Sequence, residues 1–143
     1  MAVMIRETAF FPYRELDAYQ EQSSKNTGKF GATAVFVGTM RDFNLGTSVN
    51  RMVLEYYPGM TEIRLEKIVE DAHGRWGFID SLVIHRVGEI NRGDAIVLVA
   101  VWTSHRAEAF EACRYIIETL KHSAPFWKKE TLQDGERWVD RNT

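Results

Sequence analysis

Residues 79–103 read IDSLVIHRVGEINRGDAIVLVAVWT: two apolar, β-branched runs around a polar centre. Residues 79–87 and 95–103 have the composition of strands, and the intervening segment 88–94 carries turn chemistry in Asn91-Arg92-Gly93-Asp94. This pattern predicts an antiparallel hairpin with a longer loop. The second run is apolar without alternation, which predicts a strand covered on both faces.

Outward from this hairpin, the flanking segments change period. Upstream, Leu65, Ile68, Val69, Ala72 and Trp76 recur at helical spacing across 59–75, and Gly77 stops that helix. Downstream, Ala109, Phe110, Cys113, Ile116, Ile117 and Leu120 form one stripe, with Ser104 as the expected N-cap and Pro125 just past the end. Residues 126–132 and 136–139 read as strands around an Asp134-Gly135 turn. Nearer the N-terminus, 2–10 reads as a first strand, and Pro12 opens a short helix to about residue 22. Residues 23–29 are a turn-rich loop, 31–40 a buried strand, 41–48 a polar loop and 49–57 a further strand. Local hairpins dominate, so the expected class is α+β rather than a doubly wound parallel sheet.

The 143 residues suffice for one domain, 1–143, with a real core. A net charge of −2 argues against a general nucleic-acid-binding surface, so any anion site must be a local cluster. The single cysteine, Cys113, excludes an internal disulfide and suits a reducing compartment. The longest apolar run, 95–102, is too short to cross a membrane, and the N-terminus lacks a signal-peptide core. The expectation is a cytoplasmic protein with no metal site and no cofactor.

Positive charge is nonetheless concentrated. Residues 121–130, KHSAPFWKKE, gather Lys121, Lys128 and Lys129 around two large aromatics. On a strand, Lys128 shares a face with Phe126, and Lys129 shares the other with Trp127. His105 and Arg106 open a helix whose dipole already repels cations there. A bound phosphate or carboxylate relieves that conflict; so do partners elsewhere in the fold. Arg41 leaves a buried strand beside small residues, where it either lines a pocket or is solvated beside Asp42. Taken singly, each lysine reads as a surface residue. His85 reads as a buried structural histidine and Cys113 as core. Arg106 and Lys121 lie fifteen residues apart on one helix, roughly 22 Å. One small ligand touching both requires a second copy of the chain, and a twofold dimer supplies it.

The blocks 31–41 (GATAVFVGTMR), 54–61 (LEYYPGMT), 85–89 (HRVGE), 104–110 (SHRAEAF) and 120–130, with Arg137-Trp138-Val139, keep one order along the chain. Together they resemble the large, catalytic subunit of molybdopterin synthase, the MoaE family. The resemblance implies an α/β-hammerhead fold with a mostly antiparallel sheet and flanking helices. It also implies a homodimer at the centre of a heterotetramer with a small ubiquitin-like, MoaD-like sulfur carrier. The carrier's C-terminal thiocarboxylate would deliver sulfur to cyclic pyranopterin monophosphate, giving the dithiolene of molybdopterin. By the same resemblance Lys121 and Lys128 are the catalytic pair. Thr39, Met40, Arg41, His105, Arg106, Lys129 and Glu130 join them as substrate contacts. The alternatives are a non-catalytic binding module for a phosphorylated small molecule, and an interaction scaffold using Phe126 and Trp127.

Overall fold

The structure, a computed structural model, describes residues 1–44, 47–132 and 135–139; Asp134 of the expected turn and Arg141 lie outside them. In chain order the elements are β1 (Ala2–Arg6), α1 (Pro12–Gln22), β2 (Ala32–Thr39), β3 (Phe43–Asn44), β4 (Thr47–Tyr56) and α2 (Met60–Trp76). There follow β5 (Asp80–Arg86), β6 (Gly88–Asn91), β7 (Ala95–Thr103), α3 (Arg106–Ser123), β8 (Phe126–Leu132) and β9 (Gly135–Val139). A single 3-10 turn, Ser24–Asn26, occupies the loop after α1.

The first sheet runs β1-β5-β7-β2, with β1 parallel to β5 and the other pairs antiparallel. β7 explains the hairpin stretch. Val97, Val99 and Val101 enter a core with Leu65, Ile68 and Val69 of α2 and Ala112, Ile116 and Leu120 of α3. Leu98, Ala100 and Trp102 enter a second core on the opposite face, where Leu16 and Tyr19 of α1 pack. Alternation persists in the strand's geometry but vanishes from its composition, because both faces are covered.

The second sheet joins β3, β4, β8 and β9, with β6 also paired to β4. Its inner face forms a third core of Met40, Val49, Met52, Leu54 and Ile90. The architecture is α+β, as the hairpin pattern implies.

Several local expectations need correction. β1 ends at Arg6, not residue 10; Phe10 instead inserts separately into the second core. The segment 88–94 is not only a loop. Gly88 takes φ 83°, re-aims the chain, and lets β6 pair with β4. Part of the expected 41–48 loop is likewise strand, in β3 and the start of β4. The N-cap of α3 is His105, in extended conformation with no side-chain cap, rather than Ser104. Phe110 is 69% exposed and off the stripe. The buried stripe keeps the expected Ala109 and takes Ala112 in place of Phe110, which lies a full 100° round the helix from Ala109.

One hydroxyl fixes the corner where α3 passes into β8. Thr61, fully buried at the start of α2, donates to the Pro125 carbonyl at 3.1 Å and accepts from the Tyr57 amide at 3.0 Å. Thr61→Val keeps the shape but leaves two backbone groups short of a partner. We expect a loss of roughly 1–3 kcal/mol in denaturant melts.

Candidate active site

A cavity of about 80 Å³ lies where the two sheets meet. The end of β2 and the residues after it supply Gly38, Thr39, Met40 and Arg41; the C-terminal turn of α3 supplies Leu120 and Lys121. β8 adds Phe126, Lys128 and Glu130, alternate residues that share one face, as a strand requires. Met52, Leu54, Ile96 and Val97 give the apolar wall, and His85 of β5 completes it.

Three cations therefore converge from segments far apart in sequence. Burial pulls Lys121 below the ordinary lysine value of 10.5, and the Arg41 charge adds to this; Glu118 opposes it. Burial also lowers Lys128. Glu130 counters that shift, while Lys121, Arg41 and Arg137 reinforce it. Both ammonium groups are thus held closer to losing a proton than a surface lysine is.

Glu130 is the buried carboxylate of this cluster. It accepts from Arg137 Nε at 2.9 Å, its direct cross-strand neighbour on β9. Lys128 Nζ stands 3.9 Å away, a looser ion pair than that with Arg137. Arg137 is thus held closer to Glu130 than Lys128 is, and the Glu130 charge opposes the fall of the Lys128 pKa.

His85 is buried, as its place in an apolar strand implies. It is also a wall of the cavity. Its ring stacks on Phe126 with centroids 3.9 Å apart and an interplanar angle of 16°. Burial pushes its pKa down to about 4, with the Lys121 charge contributing, so the imidazole is neutral. The sequence signal was available in the 85–89 block, but nothing local to it points into a cavity.

The remaining expected site residues lie elsewhere on this chain. His105 and Arg106 open α3, at the end opposite Lys121. Lys129 faces away from the cavity, paired with Glu136 at 2.8 Å and placed over the Trp138 ring. Trp127, on that same outer face, is 47% exposed, whereas Phe126 turns inward onto His85. Phe126 and Trp127 thus cannot act as one surface anchor.

Comparison with known proteins now bears on this arrangement. The MoaE family model, described as MoaE protein, matches residues 13–123. This chain belongs to the MoaE family. The molybdopterin synthase catalytic subunit of Pseudomonas aeruginosa is 45% identical over 140 residues, covering 98% of this chain and 91% of the relative. That of Ralstonia nicotianae is 57% identical over 112 residues, or 78% of this chain, but the match spans only 64% of that relative's length. Among solved structures, a chain from the protein–protein complex of subunits 1 and 2 of molybdopterin-converting factor from Helicobacter pylori superposes with a TM-score of 0.78. Its identity is 26%, and the match covers 96% of this chain and 89% of that one. The family model spans β2 to α3, and the Pseudomonas aeruginosa relative's match over 98% of the chain also takes in β8, which supplies Phe126, Lys128 and Glu130. Among the described residues no helix is long and apolar enough to cross a membrane.

Proposed function

We propose that this chain, acting as a single MoaE-like domain in the cytoplasm, is the catalytic subunit of a molybdopterin synthase. It transfers sulfur from the C-terminal thiocarboxylate of a small ubiquitin-like carrier to cyclic pyranopterin monophosphate, giving the molybdopterin dithiolene. The observation that carries this reading is the convergence of Arg41, Lys121 and Lys128 on one cavity beside the buried Glu130. The reaction brings together an anionic thiocarboxylate, a phosphate and a tetrahedral oxyanion, and fixed cations in a shielded cavity stabilise all three. A lysine with a lowered pKa also serves as a proton acceptor or donor. Sulfur arrives on the carrier, so the chain needs no reactive thiol of its own. This fits Cys113, which is buried and pushed up to about 11 by that burial.

His105 and Arg106 enter through a second copy. A twofold dimer places the α3 start of one protomer beside the cavity of its partner, where an arginine fork suits phosphate or the pterin edge. The exposed Phe110, one turn from Arg106, gives the partner an apolar surface to cover. In this arrangement the dimer is the centre of a heterotetramer, with one carrier at each end.

The direct test mixes the chain with thiocarboxylated carrier and cyclic pyranopterin monophosphate and assays dithiolene product; no product from the wild-type chain refutes the reading. The shared site has its own test. Arg106→Ala and Lys121→Ala chains are each inactive, but co-refolded together they regain roughly a quarter of wild-type activity. Half the dimers are then mixed, and each mixed dimer holds one intact composite site. A mixture as dead as its components places all site residues within one protomer.

A further inference from the structure

The cavity is far smaller than the ~300 Å³ typical of sites that enclose a whole small-molecule ligand. It has room for a narrow chain end, with the wider pterin at its mouth. Around that space charged donors predominate. Arg41, Lys121 and Lys128 are pure donors while charged. They match an anionic terminus but offer nothing to the peptide N–H that precedes it.

Glu130 accepts but is already engaged by Arg137 and Lys128, and His85 supplies an acceptor outside those ion pairs. Its Nδ1 lies 2.9 Å from the Arg86 carbonyl, which can only accept, so Nδ1 carries the ring hydrogen. Nε2 is then the bare nitrogen. It has no hydrogen-bond partner among the described residues and is not one of the sealed, unpartnered polar atoms of the interior. The ring cannot turn freely to hide it, because Phe126 is stacked on its face and Nδ1 is tied to the backbone. We propose that His85 is a further binding residue of this site: its Nε2 accepts a hydrogen bond from the last peptide N–H of the carrier tail, while the neighbouring cations hold the terminal thiocarboxylate. The inference rests on the function proposed above and names the part of the carrier that the cavity floor reads.

Neutrality is required for this role, since a protonated ring would present N–H to N–H. The groups around His85 enforce it. Lys121 opposes a further positive charge, burial does the same, and the imidazole stays uncharged down to about pH 4. Lys128, Arg41 and Glu130 also face the cavity.

The test compares two carriers, full-length with an ordinary carboxylate end and the same protein shortened by its last two residues. Binding to the wild-type chain, to His85→Phe and to His85→Gln is measured by calorimetry, and turnover of the wild-type chain is scored separately. His85→Phe keeps a ring to stack on Phe126 but has no acceptor. We expect it to bind the full-length carrier about tenfold more weakly and the shortened carrier as the wild type does. His85→Gln restores a donor and an acceptor on one side chain and recovers part of the loss. Equal loss for both carriers makes His85 a structural wall only and overturns the proposal. So does unchanged affinity of His85→Phe for the full-length carrier when the wild-type chain turns over. If the wild-type chain gives no turnover, or binds both carriers alike, the tail does not enter this cavity, and the functional reading falls together with His85.

Discussion

Lys121→Ala loses roughly a thousandfold in sulfur transfer, the middle of the range for removing a positioned acid–base group. The same variant keeps its fold and its carrier complex. Lys121 sits at the last turn of α3, half-buried, where a cation is favoured by the helix dipole yet penalised by burial and by Arg41. Those penalties lower its pKa, so its proton is less tightly held than that of a free lysine. Stability follows the same sign. The unfolded chain binds that proton more tightly than the folded one, so the charged ammonium opposes folding at neutral pH, and the opposition fades as pH rises toward 10.5. Lys121→Met therefore melts no lower than the wild type while being equally inactive. The pH–rate profile adds an independent reading: its basic limb lies below 10.5, and Arg41→Ala moves that limb upward because a like charge has been withdrawn. Lys121→Arg separates the two chemical roles. An arginine holds charge but cannot give up its proton at working pH, so residual activity near the alanine level assigns proton transfer, and substantial recovery assigns electrostatic stabilisation.

Glu130→Gln is expected to cost roughly 3 kcal/mol of stability, about 10 °C in melting temperature for a chain of this length. The carboxylate is almost wholly buried, with Arg137 against it closely and Lys128 at longer range. The amide keeps the shape and one acceptor oxygen but withdraws the charge. Lys128 then loses the influence that keeps its pKa up, and its pKa falls further. Activity drops with it, and the basic limb of the pH–rate profile shifts to lower pH. Circular-dichroism melts and single-turnover assays on the same preparation separate the two effects. A variant as stable as the wild type would mean that water replaces the carboxylate's partners without penalty.

The parts of this molecule that announced themselves did so through repetition. The unbroken run of β7 predicted burial on both faces because each alternate residue has its own core to enter. Pro12 marked the start of α1, and the stripe from Ala109 to Leu120 marked α3. β6 escaped because four residues with one apolar side chain, Ile90, carry no period, and only its pairing with β4 makes it a strand. Phe110 fits the apolar spacing yet faces outward, because hydrophobicity alone does not say which of two adjacent helix positions faces inward. The chemistry of the site was visible residue by residue in Arg41, Lys121 and Lys128. Their meeting was not, since it depends on how the end of β2, the end of α3 and β8 are brought together by two sheets. The role of His85 was hidden further still. It depends on a bond to the carbonyl of its own neighbour, Arg86, and no residue pattern encodes which ring nitrogen that bond leaves free.

Phe126, Lys128 and Glu130 point inward and Trp127 and Lys129 outward, on a strand whose register is counted off against β4 and β9. Inserting one residue between Pro125 and Phe126 would turn that comb over. The catalytic hollow would then receive the Trp127 indole in place of the Lys128 ammonium and Lys129 in place of the Glu130 carboxylate, a greasy plug beside a reversed charge. Length at this corner is therefore constrained as tightly as residue identity, and natural variation in loop size belongs at other corners.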